Sequence, residues 1–471
     1  MTLTRRRMVQ ATGAGTCALL LSGRSAANPS GEHRVFVHPA ADTVSAVIDA
    51  LEALGGATLR RYDNFDFVAA TIPAASRADL EADSRVALVE DDEPIEATAT
   101  PVDDLLDGVD DLLEFGGGDD RDCTVHPAQQ PAWGWERIGA DDVDETGTGV
   151  DLAVLDTGIE TGHCDLEVAG GRNFTTDGPP GDYEDRNGHG THCAGIACAL
   201  DNDLGVVGVA PQANLHAVKV LGDDGTGYHS WMAAGIDWCL SNEIELVSMS
   251  FGSEAGTATM DAVIERAREE GHLLVASAGN EGNDGGDACG EDNVRYPATH
   301  EDVIAVSAMD SDDSIASYSS LGDEIDLLAP GSSVVSTDVD NRYRSRSGTS
   351  MACPYVAGVA ALAWARHGES GPGPNDEIRR ALEAAAESVV DSCAEGHGLV
   401  RAAADLDGSN GGDDGDDGSD ADDSTGGGSN GGSSTGESER TDADGDSGLG
   451  SIWQSVLEAI EGLFDRLLGR S

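Results

Sequence analysis

Lysine is almost missing from this chain: of its 471 residues only Lys219 is a lysine, and Lys plus Arg number 27 against 88 Asp plus Glu. Without clustered cations the surface has nothing to neutralise a phosphate backbone, which argues against nucleic acid as a partner and against simple attraction to anionic lipid. The formal net charge of −61 makes the molecule repel itself unless salt screens charges over a few ångströms, about 3 Å at 1 M. The composition therefore implies an extreme halophile. Its nine cysteines (17, 123, 164, 193, 198, 239, 289, 353 and 393) form neither a CxxC pair nor a Cys/His cluster of zinc-finger spacing, so metal–thiolate chemistry is not expected. Disulfides are permitted in an exported chain, and their pairing stays open. Long apolar runs are lacking too: the one signal-like run ends near Leu21, too short to span a bilayer.

That run follows Thr4-Arg5-Arg6-Arg7-Met8-Val9 and leads to Ser25-Ala26-Ala27, the layout of a twin-arginine export signal over residues 1–27. Residues 33–97 read as a small α+β unit, with alternating stretches at Val35-Phe36-Val37 and Phe65 to Ile72, helical stretches at Val44 to Leu54 and near Ala78, and a strand at Val86 to Glu90. Residues 98–124 are acidic and Gly-rich, an exposed linker that a protease can reach. Over 125–405, apolar runs at Val150 to Leu155, Leu215 to Val220, Leu246 to Met249, Leu273 to Ala276 and Val303 to Val306 alternate with helical stretches. That pattern predicts an α/β fold, a parallel β-sheet flanked by helices on both faces. Residues 406–447 hold little but Gly, Asp, Ser, Asn and Thr and predict a disordered linker. Beyond it, over 448–471, Ile452, Val456, Leu457, Ile460, Leu463, Phe464 and Leu467 recur at helical spacing, an amphipathic helix.

Four segments of the 125–405 region carry chemistry. Hydrolysing an amide through a serine needs a base for the hydroxyl proton, an acid that orients the base, and donors for the oxyanion. Val154-Leu155-Asp156-Thr157-Gly158 puts a carboxylate at the end of an apolar strand, the edge where parallel sheets place functional groups. In Asn187-Gly188-His189-Gly190-Thr191-His192-Cys193-Ala194-Gly195 a histidine between two glycines precedes an Ala-rich helix. Ala276-Ser277-Ala278-Gly279-Asn280-Glu281-Gly282 places an amide donor just past another strand. Ser347-Gly348-Thr349-Ser350-Met351-Ala352-Cys353-Pro354 opens a buried helix with a hydroxyl, where unpaired N–H groups favour negative charge. Singly, each residue could merely cap or fill; four in order make coincidence very improbable.

On these motifs the chain resembles the subtilisin-like serine proteases, nearest the halolysin type of salt-loving archaea, and shares their Asp, His, Ser order. The resemblance implies Asp156 as orienting acid, His189 as general base, Ser350 as nucleophile, Asn280 as oxyanion donor and His192 as a structural histidine. It implies extended polypeptide substrates, paired with Asp224-Gly225-Thr226-Gly227 and Ser250-Phe251-Gly252 and passing Gly279. Arg295 falls where many relatives carry a small residue at the floor of the primary specificity pocket; it either changes the usual preference for large apolar side chains or simply pairs with Glu281 or points to solvent. The loop Leu200 to Pro211 resembles the family's calcium loop: the Asn202 side chain, the carbonyls of Leu200, Leu204 and Val206, Asp165 and Gln129 would supply an oxygen shell for structural calcium. No organic cofactor is implied. Cys193 and Cys353 read as packing thiols. The 33–97 unit resembles an inhibitory propeptide, with self-cleavage expected in the linker before about Val125, and the terminal helix is free to bind a partner, a membrane surface or the protease itself. A silent peptide-binding relative would have lost a triad residue, and none is lost. An esterase of another α/β fold would carry Gly-x-Ser-x-Gly with its histidine last.

Overall fold

The computed structural model describes residues 31–41, 43–98, 128–282, 293–368, 371–390 and 394–402. The signal over 1–27, the linker after Thr98, the acidic segment 406–447 and the helix expected over 448–471 lie outside the described residues.

The N-terminal unit consists of β1 (Glu32–Pro39), α1 (Val44–Ala53), β2 (Ala57–Arg61), β3 (Val68–Pro73), α2 (Arg77–Glu81), β4 (Val86–Asp91) and the short β5 (Pro94–Ala97). The first four strands form an antiparallel sheet in the order β2-β3-β1-β4. Period-two alternation explains why its strands are apolar at successive positions: Val35, Val37, Val68 and Ala70 pack on α1, while Phe36, Ala69, Tyr62 and Phe67 turn the other way into the core of the larger domain. Burying such a ring contributes about 1.5–3 kcal/mol. The sheet is therefore covered on both faces.

The larger domain begins with α3 (Trp133–Arg137), β6 (Asp151–Asp156), β7 (Val168–Asn173), α4 (His189–Cys198), β8 (Asn214–Lys219), β9 (Thr226–Tyr228), α5 (His229–Ser241), β10 (Leu246–Met249), β11 (Phe251–Gly252) and α6 (Ala258–Glu269). It continues with β12 (Leu273–Ser277), β13 (Val303–Met309), β14 (Leu327–Pro330), β15 (Val334–Asp338), β16 (Arg342–Arg346), α7 (Thr349–His367) and α8 (Asn375–Ala385). Seven strands form one sheet in the order β14-β13-β12-β10-β6-β8-β7, parallel at every junction. The apolar runs anticipated in the sequence became β6, β8, β10, β12 and β13, buried on both faces. Against the sheet and α4 packs α7, buried at every residue from Thr349 to Trp364, as a helix apolar all round must be; it ends at Gly368, whose φ of 77° closes the helix. Among the described residues no helix is long and apolar enough to cross a membrane.

Acidic side chains at helix N-termini join the N-terminal unit to this domain. The Glu90 carboxylate accepts from Ala258 N at 3.0 Å and Thr259 N at 2.8 Å, the first turn of α6. Asp92 accepts from Ser230 N at 2.8 Å and Ser230 Oγ at 2.7 Å in the first turn of α5, with Arg34 Nε 2.8 Å away. Both carboxylates meet unpaired N–H groups and the positive end of a helix dipole. The unit is thereby seated on the two helices that flank β9 and β11.

Candidate active site

Asp156 ends β6 and His189 begins α4, and the loop after the one and the turn before the other bring them together. Gly188, at φ 98°, caps α4 in a conformation that favours glycine. At Gly190 a Cβ would stand 3.0 Å from Asp156 Cβ and closer still to the Gly158 carbonyl, so only glycine permits this approach. The result is a buried pair: His189 Nδ1 lies 2.9 and 3.0 Å from the two Asp156 carboxylate oxygens. Burial opposes charging of His189, yet the Asp156 carboxylate outweighs it and holds the imidazole's pKa well above the ordinary 6.5. His192, by contrast, is held well below it by burial and by Arg346, and bonds through Nε2 to the Arg344 carbonyl at 2.9 Å.

A residue not anticipated from the sequence holds this half of the site. Asp185 Oδ1 accepts from Thr157 Oγ1 (2.9 Å), Asn187 N (2.9 Å) and Gly188 N (3.0 Å), and Oδ2 accepts from Thr191 N (2.9 Å) and Thr191 Oγ1 (2.7 Å). Thr157 Oγ1 in turn accepts from Gly190 N at 2.9 Å. One buried carboxylate thus ties the loop after Asp156 to the turn before His189. The only lysine of the chain also serves here: Lys219, opposite Asp156 in the β6–β8 register, donates to the Thr157 carbonyl and, at 2.9 Å, to Asp223.

Ser350 and Asn280 face the same atom, the carbonyl oxygen of Thr98. Asn280 Nδ2 donates to it at 2.6 Å, and Ser350 Oγ lies 2.6 Å from it and 3.2 Å from the Ser250 carbonyl. The amide's orientation is fixed, because Asn280 Oδ1 accepts from Thr349 N at 2.9 Å and Thr349 Oγ1 at 3.0 Å, which aims Nδ2 at Thr98. Thr349 was not singled out in the sequence. With Ser350 Oγ turned toward Thr98, His189 Nε2 is buried without a partner among the described residues.

Thr98 arrives there because β5 lies between β9 and β11, antiparallel to both. Ala97 N donates to the Gly225 carbonyl at 2.9 Å and Thr98 N to the Ser250 carbonyl at 3.3 Å; Ile95 stands opposite Gly227, and Ala97 and Glu96 opposite Phe251 and Gly252. The anticipated peptide-pairing segments therefore hold a strand of this same chain. Gly279 and Arg295 adjoin it: Arg295 Nε lies 2.5 Å from Glu281 Oε1, and Nη2 lies 3.1 Å from Glu96 Oε1. Both thiols are buried, and burial raises the pKa of Cys193 and pushes that of Cys353 to about 12. Cys164 is disulfide-bonded, and the other described cysteines are free.

The residues anticipated for calcium also converge. Gln129 Oε1 accepts from Asn202 N at 3.1 Å, Asn202 Oδ1 from Leu204 N at 2.9 Å, Asp165 Oδ2 from Val206 N at 3.0 Å, and the Asp165 carbonyl from Leu200 N at 2.9 Å. Asp165 Oδ1 is buried and unpartnered, and burial pushes this carboxyl up to about 7. An orphaned carboxylate oxygen among amide and carbonyl oxygens fits a hard cation.

Comparison with known proteins agrees with this geometry. The subtilase family model matches residues 147–425. Subtilisin NAT of Bacillus subtilis subsp. natto is 34% identical over 393 residues, 82% of this chain and 93% of its own length. A thermostable alkaline protease of Halalkalibacterium halodurans is 42% identical over 286 residues, covering 60% of this chain and 75% of that protein. Alkaline elastase YaB of a Bacillus species is 41% identical over 288 residues, 60% of this chain and 72% of its own length. By sequence and fold alike, this chain belongs to the subtilase family as a subtilisin-like serine endopeptidase.

Proposed function

We propose that this chain is the precursor of a secreted, salt-adapted protease that cuts itself between Thr98 and Ala99. The observation that carries the reading is the Thr98 carbonyl oxygen, 2.6 Å from both Asn280 Nδ2 and Ser350 Oγ. Asp156 orients His189; His189 Nε2 takes the proton as Ser350 Oγ bonds to the Thr98 carbonyl carbon; Asn280 Nδ2 and the Ser350 N–H stabilise the oxyanion. Collapse breaks the Thr98–Ala99 bond, the imidazolium gives its proton to the departing Ala99 amine, and water then releases Thr98 from Ser350. The bond lies at the start of the 98–124 linker, before Val125 as anticipated. Residues 31–98, seated by Glu90 and Asp92, would thereafter inhibit the enzyme until removed, and other extended polypeptides would follow the same path between β9 and β11. Purified Ser350→Ala chain is expected to keep residues 31–98 attached, whereas the parent sheds them; equal processing of both removes the reading.

Gln129, Asp165, Leu200, Asn202, Leu204 and Val206 would hold the calcium ion, which supplies positive charge to the buried Asp165 and ties the 129 segment to the 200–206 loop. The twin-arginine signal over 1–27 carries the folded precursor out of the cell, and the charge of −61 suits strong brine of the kind in which halolysins work. The domain divisions at 27, 97, 124, 405 and 447 follow the composition, and the terminal helix is the segment left for a partner or membrane surface.

A further inference from the structure

The Thr98 side chain lies between residues 250 and 277, its Oγ1 3.4 Å from the Ser250 carbonyl and 2.8 Å from Ser277 Oγ, and the glycines that continue these two segments, Gly252 and Gly279, are both packed against Arg295. A Cβ on Gly252 would lie 2.8 Å from Arg295 Cβ, and one on Gly279 would lie 2.6 Å from Arg295 Cγ. The arginine stem therefore occupies the space between the two walls. Its guanidinium is pinned there by Glu281, whose Oε2 accepts from Ser320 Oγ at 2.8 Å. Thr98 lies against the same two segments, and its Oγ1 is also 2.6 Å from Ser350 Oγ. On an extended strand, side chains two residues apart share a face. Arg295 accordingly also reaches Glu96, two residues before Thr98, with Nη2 3.1 Å from its carboxylate; Arg295's side chain is 19% exposed and Glu96's 62%.

We infer that Arg295 makes this a protease for extended peptides with a short side chain at the cut bond and a carboxylate two residues before it. The inference rests on Pro94–Thr98 lying as a substrate lies. One guanidinium serves both selections: its stem shortens the pocket, and its free edge pairs with the acid upstream. The large apolar residue usual for the family has no room unless the Arg295–Glu281 pair is displaced. In a chain with 88 acidic residues, and among substrates of similar composition, an acid-accepting cleft also reduces the repulsion between enzyme and substrate.

The test uses enzyme matured from the full chain and quenched peptides Ile-Xaa-Ala-Yaa, with Xaa Glu, Gln or Arg and Yaa Thr or Phe. With Yaa fixed as Thr, the parent is expected to cleave the Glu peptide about three- to five-fold faster in kcat/KM than the Gln peptide, the scale of one partly exposed ion pair. That ratio should shrink as salt rises above about 1 M. Arg295→Glu should invert the order in favour of the Arg peptide. Arg295→Gly should abolish the acid preference and raise the Phe-to-Thr ratio about ten-fold or more, as room for added methylenes predicts. Each ratio is taken within one enzyme, and the parent's series and its salt dependence stand without any variant. Equal rates for the Glu, Gln and Arg peptides, or a parent that prefers Phe to Thr, overturn the specificity while leaving the protease intact. Absence of cleavage of every peptide overturns the substrate-strand reading as well.

Discussion

The two halves of the catalytic site are satisfied in different ways. Asp156 and His189 bond to each other, and Asp185 braces the loop after one and the turn around the other, all within residues 156–191. Ser350 and Asn280 instead meet in Thr98, 252 and 182 residues distant from them in sequence. The base half is held by its own residues; the nucleophile half meets the Thr98 carbonyl brought in by β5. Such an arrangement keeps the costly ordering of charged groups in the folded scaffold and leaves the oxyanion donor aimed at the place where charge develops.

The comparison predicts unequal losses when the halves are damaged. Ser350→Ala should remove self-processing and lower kcat by about 10⁶, the value known for subtilisin and not one derived from this geometry; assays on a peptide amide after an added protease has removed the N-terminal unit from both chains check it. Asn280→Ala should lower kcat by about 10²–10³, again the subtilisin figure, with KM nearly unchanged, because its Nδ2 serves the oxyanion more than the ground state. On the other half, Asp185→Ala should cost about 10² in kcat by letting the 156–158 loop and the 187–191 turn shift against each other. Partial rescue by Asp185→Glu, with circular dichroism unchanged, separates positioning from misfolding; a variant with parent kcat would show that the base half needs no such brace. Since Asp156 holds His189 charged to above pH 6.5, the base is lost below its raised pKa. The acid limb of kcat/KM should therefore lie above 6.5 and fall about ten-fold per pH unit beneath it. The smallest effect concerns the proposed calcium ligands: a chelator should shorten the thermal half-life without changing kcat before unfolding sets in.

The difference between the halves also decided what could be read in the sequence. Asp156, His189, Asn280 and Ser350 stand in short local motifs, so their chemistry was legible at once. The runs that became β6, β8, β10, β12 and β13 were equally plain, whereas β7, reading Val-Ala-Gly-Gly-Arg-Asn at the sheet's edge, has no apolar run to announce it. Asp185 was hidden because one more carboxylate means little in so acidic a chain; the Thr at 157 and the Asn, Gly and Thr that follow at 187, 188 and 191 were the available signal. Pro94–Ala97 looked like the end of a small unit, since its pairing with β9 and β11 is wholly long-range. At Arg295 the sequence left open a pocket floor, a pair with Glu281 or a side chain in solvent. The structure shows the pair with Glu281, with the stem packed against Gly252 and Gly279; the specificity role belongs to the proposal above.

The central claim is that Thr98 lies in the site as the residue to be cut. The most direct test is the mass of the N-terminal fragment first released from freshly folded parent chain, with Ser350→Ala alongside. A fragment ending at Thr98, absent from the variant, is the predicted result; a first fragment ending elsewhere in the 98–124 linker, or the same fragment from Ser350→Ala, would contradict it.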